Sequence, residues 1–159
     1  MNTFVEPNSY CQQDIQVTSL RLVCERKVPF DGKLLTASSV FELMQPLVSN
    51  LAQEAFYVVG LNIKNQVNVI HFASLGGGSS VNIDLTVVLK ALLLSDSSGS
   101  IIVHNHPSGD PEPSDEDKSL TERIAQVLKL LGIRFLDHVI IGDLCFYSFA
   151  EKAMMPKCN

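Results

Sequence analysis

Positions 104 to 117 read His-Asn-His-Pro-Ser-Gly-Asp-Pro-Glu-Pro-Ser-Asp-Glu-Asp. Two imidazoles one residue apart, followed by the carboxylate of Asp117, make a three-ligand metal set. On zinc such a set leaves a fourth position open for water, which separates a catalytic site from a closed structural one. Neutral imidazoles with one carboxylate suit zinc best, and iron and manganese are also compatible with these ligand types. The chemistry to expect is zinc-dependent hydrolysis.

The same residues have a plainer reading. Ser114 and Asp117 form Ser-x-x-Asp ahead of an apolar run, which is itself a capping box and could merely start a helix. Two histidines beside a strand could equally be hydrogen-bonded turn residues. Against this, two of the chain's four histidines fall within three residues of one another, with the aspartate close behind.

To aim both imidazoles at one ion, the chain must be extended through them, because residues i and i+2 of a strand share a face. Ile101-Ile102-Val103 supplies that strand, as an apolar run to be buried on both sides, and Asn105 then points away. Pro107, Pro111 and Pro113 keep the next segment extended. Ser114 opens a helix with Leu120, Ile124, Val127, Leu128 and Leu131 on its inner face, and Gly132 ends it.

Upstream, alternation from Ile15 to Cys24 predicts a first strand after a polar leader, with Pro29 to Lys33 as a turn. Ser39 and Glu42 form a capping box for a helix that continues through Val40, Leu43, Leu47 and Leu51, with Pro46 expected to kink it. Ala55 to Ile63 and Gln66 to Ala73 read as a hairpin turning at Lys64-Asn65. Gly76 to Gly78 make a turn. A helix from near Asp84 carries Leu85, Val88, Leu89, Leu92 and Leu93 inward. Strands at Ile133 to Ile141 and Leu144 to Phe149 follow, joined at Gly142-Asp143. Strands with interspersed helices imply a layered α/β domain, with the site at a strand-to-loop exit.

The chain has 159 residues, enough for one domain, and 46% are hydrophobic, enough for an ordinary core. Twelve basic residues stand against 17 acidic ones, with no basic run. Arg21, Arg26 and Lys27 read as a solvated face, so direct nucleic-acid binding by this chain is not expected. Four cysteines without a C-x-x-C spacing point to a reducing, cytoplasmic setting. The N-terminus does not read as a signal peptide, and the longest apolar stretch, Leu85 to Leu94, is too short for a bilayer, which needs roughly 20 residues.

His104-x-His106, seven residues, Ser114, two residues, Asp117 is similar to the HxH(x)7Sx2D pattern of the JAMM metalloproteases, whose fold is called the MPN or JAB domain. With Leu136-Asp137-His138 and Ser148 downstream, residues 36 to 150 resemble the RadC branch of that family. The resemblance implies one MPN/JAB-type α/β domain, a mixed central sheet flanked by helices in cytidine-deaminase-like layers. Residues 1 to 35 would be leader and first strand, and 151 to 159 a tail. It implies Zn2+ held by His104, His106 and Asp117, with Ser114 stabilising an oxyanion. The family's water-holding glutamate corresponds to Glu54, ahead of Ala55-Phe56-Tyr57-Val58. Glu25, Glu42 and Glu112 fit that role less well.

The implied activity is a metallopeptidase or isopeptidase acting on a peptide or protein. The RadC name also carries a DNA-repair label, and a non-catalytic metal-binding scaffold is a third reading. A zinc deaminase is excluded, since it needs His-x-Glu and Pro-Cys-x-x-Cys. His-Asn-His is not the spread-out set of an HNH nuclease. Gly76 to Ser80 could border the cleft. Asp110 reads as a solvated loop carboxylate, His71 as structural, and His138 as either a core residue or a support for the site.

Overall fold

Three strands at the centre of the structure, a computed structural model, explain why the sequence around the site is so apolar. The described residues are 36–76 and 83–157, with positions 19, 22–25, 27, 30 and 34. They form α1 (Ala37–Val48), β1 (Ala55–Leu61), β2 (Val67–Leu75), α2 (Leu85–Leu94), β3 (Gly99–Asn105), α3 (Asp115–Leu130), β4 (Arg134–Ile141) and β5 (Phe146–Ser148). The strands make one sheet in the order β2-β1-β3-β4-β5. β3 and β4 run parallel, and every other pair is antiparallel. β1 and β3 are buried at every position, so they read as continuous apolar runs without alternation.

Alternate residues of the central strands feed two cores. Tyr57, Val59, Ile101, Val103, Val139 and Ile141 pack against α1. Phe56, Val58 and Ile102 pack on the other face with residues of α2 and α3. By strand parity His104 and His138 share the second face with Ile102 and Phe56. Register confirms the neighbourhood, since Phe56 pairs with His104 and Ile102 pairs with His138. The mixed sheet with helices on both faces is the layered α/β domain expected.

The hairpin turns where expected. Asn62 Oδ1 accepts from the backbone N–H groups of Lys64 and Gln66, and Asn65 adopts φ 57°. Several element details differ from the sequence reading. Helix α1 is capped by Thr36 with Ser39 as its box partner, three residues earlier than expected, because Ala37 and Val40 must both reach the core. It runs through Pro46 and stops at Val48 rather than reaching Leu51.

Helix α2 buries Val88, Ala91 and Leu92 and leaves Leu93 57% exposed, the reverse of the expected face at Leu93. Thr86 and Lys90, four apart and exposed, mark the outer stripe of this helix, and Leu93, three after Lys90, lies on it. In α3, Leu131 lies past the helix end and is exposed, while Thr121 and Ala125 are buried. β5 is limited to three residues, shorter than predicted.

Of the expected first strand, Ile15, Val17 and Leu20 lie outside the described residues, as does the leader. At 22–25 the chain is not in strand and is exposed. Most of the Pro29 to Lys33 turn and Gly77 to Ser80 also lie outside. Among the described residues, no helix is long and apolar enough to cross a membrane.

Candidate metal centre

The parallel pair β3–β4 ends at the site. After Asn105 the ladder is extended by His106 N–H donating to Ile141 O at 2.9 Å, so the strand geometry continues through both histidines and their rings turn to one side. Asn105, on the opposite face, is put to a different use. Its Oδ1 accepts from Ala55 N–H at 2.8 Å and its Nδ2 donates to Gln53 O at 3.3 Å. These bonds hold the residues on either side of Glu54 against the end of β3, across 50 positions of sequence.

The three prolines carry the chain out and back to α3, whose first turn returns Asp117. Ser114 caps this helix in full: its Oγ accepts from Asp117 N–H at 3.1 Å, and its own N–H donates to Asp117 Oδ2 at 2.8 Å. The Ser114 hydroxyl also donates to Asp117 Oδ2 at 2.7 Å. The carboxylate that completes the cap also faces both imidazoles. Oδ1 of Asp117 faces His104 Nε2 at 3.2 Å, while Oδ2 lies 3.5 Å from His106 Nε2.

Glu54 Oε1 completes the group at 3.6 Å from His104 Nε2. One ligand atom from each of Glu54, His104, His106 and Asp117 lies within 4.8 Å of the others. All four atoms that converge are acceptors or can be, an arrangement that could hold a cation. Tetrahedral ligands at the usual Zn–N and Zn–O lengths sit about 3.3 Å apart. His104 Nε2 lies 3.1 Å from His106 Nε2 and 3.2 Å from Asp117 Oδ1, close to that spacing, while the Asp117 oxygen 3.5 Å from His106 Nε2 is the other one, Oδ2. In donor type the residues fit zinc.

The ring of His106 is oriented from behind by Asp110, whose backbone carbonyl accepts from Nδ1 at 2.8 Å. A carbonyl can only accept, so the proton sits on Nδ1 and Nε2 presents a lone pair when the ring is neutral. Asp110 itself is exposed and contributes main chain, not its carboxylate. The loop tip is packed closely against the β4–β5 turn. Gly109 has φ 83°, its carbonyl accepts from Asp143 N–H at 3.2 Å, and a Cβ on Gly142 would lie 2.2 Å from that carbonyl oxygen.

The two carboxylates are driven apart electrostatically. Burial pushes Glu54 above the usual carboxylate range, against the lowering effect of His104. Burial also acts to raise Asp117, but hydrogen bonds to His104 and His106 outweigh it and hold that carboxyl far below the usual range. Such divergence separates a permanently ionised group from one able to carry a proton. The hydrogen bond to Asp117 raises His106, with burial opposing.

His138, expected to be either core or support, is both. It is fully buried, stacks on Phe149 at 5.0 Å, and its Nε2 lies 2.9 Å from His104 Nδ1. Burial holds it well below the ordinary imidazole range. Phe56 stacks on His104 at 5.5 Å. Thr121, which the sequence reading missed, meets His138 Nδ1 at 2.7 Å. Its only signal was a polar residue between Leu120 and Ile124, four after Asp117.

The remaining candidates lie apart from the cluster. His71 is half-buried on β2, and Glu42 and Glu112 are exposed. Asp137 alternates with His138 and so faces away. It accepts from Ser148 Oγ at 2.6 Å and Ala150 N–H at 2.9 Å, tying β5 and the following residues to β4. Of Gly76 to Ser80, only Gly76 is described, and its N–H donates to Glu54 O.

A family profile described as the RadC-like JAB domain matches residues 34–154. Curated proteins similar to this chain include a UPF0758 protein of Alkaliphilus metalliredigens, 40% identical over 123 residues that cover 77% of this chain and 53% of that protein. A UPF0758 protein of Halalkalibacterium halodurans is 46% identical over 106 residues, 67% of this chain and 46% of its own length. One from Caldanaerobacter subterraneus is 42% identical over 113 residues, 71% and 48%. The chain spans about half the length of the curated relatives it matches.

Proposed function

The chain belongs to the RadC-like JAB domain family, and from that premise we propose that it is a zinc-dependent hydrolase of amide bonds, in peptide or isopeptide linkage. The observation that carries the reading is the convergence of Glu54, His104, His106 and Asp117 within 4.8 Å. His104, His106 and Asp117 would hold the ion. Bound there, zinc would supply Lewis acidity and bring the pKa of a water from 15.7 toward about 7.

Glu54 would be the base that takes a proton from the attacking water and passes it to the leaving amine. Its partial burial supports this role, since a carboxylate lifted toward neutrality both accepts and releases a proton more readily. Asp117 stays ionised throughout. Ser114 turns its hydroxyl from Asp117 Oδ2 to the developing oxyanion, a contribution of about 2.7–4 kcal/mol in comparable hydrolases. The substrate is an extended peptide or protein segment. Exposed Asp110, Glu112, Asp115 and Glu116 near the site favour this over a phosphate backbone, which they would repel.

The experiment is elemental analysis of the purified protein, paired with turnover of fluorogenic peptide and isopeptide substrates by wild type and Glu54→Gln. One zinc per chain in both, with turnover at least about 100-fold lower in the variant, is the expected result. A chain without zinc, or equal turnover in both proteins, overturns the reading.

A further inference from the structure

We propose that Thr121 and His138 are positioning residues that commit His104 Nδ1 to donating a hydrogen bond, which leaves Nε2 as the ring nitrogen available to a metal ion. The inference rests on the metal reading above only for its purpose, because the hydrogen-bond directions follow from partners that need no ion.

The chain of directions starts at the Asp117 main-chain carbonyl. Thr121 Oγ1 lies 2.6 Å from that oxygen. Two oxygens at this separation require a proton between them, and the carbonyl has none to give. The hydroxyl proton of Thr121 therefore points at Asp117 O. Its oxygen is then left to accept, and the group at 2.7 Å is His138 Nδ1. His138 must carry its proton there. Full burial without a carboxylate against its ring keeps His138 neutral, with one proton only.

It follows that His138 Nε2 is unprotonated and accepts. Its partner at 2.9 Å is His104 Nδ1, which must donate. His104 Nδ1 is thereby committed as a donor, and Nε2, beside His106 Nε2 and Asp117 Oδ1, is the ring nitrogen left to take an ion. His104 thus reaches by two side chains the state that His106 reaches through one carbonyl, that of Asp110. Ring planes are held as well, by Phe56 stacked on His104 and Phe149 stacked on His138. The consequence is a ligand prepared for the ion, with no tautomer change at the moment of binding.

Replacing Thr121 by Val removes the acceptor at nearly constant shape. His138 would then leave a buried N–H unpaired unless its proton moved to Nε2, and a buried orphan donor is rarely tolerated. His138 would donate to His104 Nδ1, and the His104 proton would be forced onto Nε2, into the cluster.

The test uses the purified chain with its metal stripped, at a pH above the His106 titration. Long-range 15N–1H spectra of the imidazoles are recorded for wild type, Thr121→Val, Thr121→Ser and His138→Gln, and zinc alone is titrated against a competing chelator. Wild type should carry the His104 proton on Nδ1. Thr121→Val should move it to Nε2 and bind zinc about 10–100-fold more weakly. Thr121→Ser, which keeps the hydroxyl, should restore both readouts.

A wild-type His104 with no proton on Nδ1 overturns the inference whatever the zinc result. So does a Thr121→Val protein with unchanged tautomer and unchanged zinc affinity. If wild type has the proton on Nδ1, responding to Thr121 as stated, but binds no zinc, the tautomer assignment stands and the metal reading fails. Should His138→Gln fail to fold, the threonine pair decides alone.

Discussion

On the α1 face of the sheet, β1, β3 and β4 present Tyr57, Val59, Val103, Val139 and Ile141 to Met44 and its helical neighbours. On the opposite face the same strands present Phe56 and Ile102, and then His104 and His138, to α2 and α3. Strand alternation forces this division, since any residue turned toward the site leaves its neighbour turned toward the other core. The first face stabilises by plain burial, at about 25 cal/mol per Å² of apolar surface. The second gives up some of that for imidazoles, which are tolerable in a core only when every polar atom is partnered. His138 meets this condition through Thr121 and His104, and His104 Nδ1 meets it through His138, while His104 Nε2 faces the cluster of candidate ligands. Among the described residues, the buried side-chain atom without a partner is Ser100 Oγ, and it is not in the network.

If one face serves mainly stability and the other the ligand cluster, perturbations should separate. The largest effect expected is from zinc itself: at about 1,000 times its dissociation constant it should add about 4.1 kcal/mol to unfolding free energy. His104→Ala should abolish that increment in denaturant titrations. An increment that survives the substitution would put the ion elsewhere and break the comparison. On the other face, Met44→Ala should cost about 2–5 kcal/mol by opening a cavity in a site with no exposure. Its zinc affinity, measured by chelator competition, should equal that of wild type.

Asn105 links the two regions, and its substitution sharpens where the boundary lies. Asn105→Ala should cost about 1–3 kcal/mol, because Ala55 N–H is left buried without its acceptor. It should lower turnover by loosening Glu54 while leaving zinc affinity intact. Equal loss of both would mean that Glu54 belongs with the ligands.

The smallest effect is graded with pH. The folded, metal-free protein holds His106 above its ordinary value, so the stability this contributes is complete below the unfolded pKa near 6.5 and is lost as pH rises through the raised value. Zinc works in the opposite sense, since it must displace that proton. Zinc affinity should fall as pH drops below the raised value, by up to about tenfold per unit. An affinity flat with pH across that window would mean that His106 is not a ligand.

The sheet and the placement of the site were legible because their signals are local. Ile101 to Val103 reads as a buried strand without any partner being known, and the His104-x-His106 spacing requires only that the strand continue. Ser114 and Asp117 were ambiguous between cap and ligand, and in the structure the two readings do not compete, since the carboxylate that caps α3 also faces His104 and His106. Thr121 was illegible because its role depends on the pairing of β3 with β4, which brings His138 beside α3. Register is not encoded in any single segment. The exposed Leu93 was misread although a local signal existed: Thr86 and Lys90, four apart, mark the outer stripe of α2, and Leu93 lies on it while Val88, Ala91 and Leu92 are buried.

Gly142 and Gly109 meet main chain to main chain, at a separation where a methyl on Gly142 would strike a carbonyl. Neither residue has a side chain to offer a ligand. Yet the loop that their contact pins includes Asp110, whose carbonyl orients His106. A single added carbon at Gly142 would have to push that loop, because backbone on both sides cannot rotate away as a side chain would. In a saturation mutagenesis map this turn would therefore score as intolerant as the ligands themselves, and a reader of that map alone would mistake an empty position for a catalytic one.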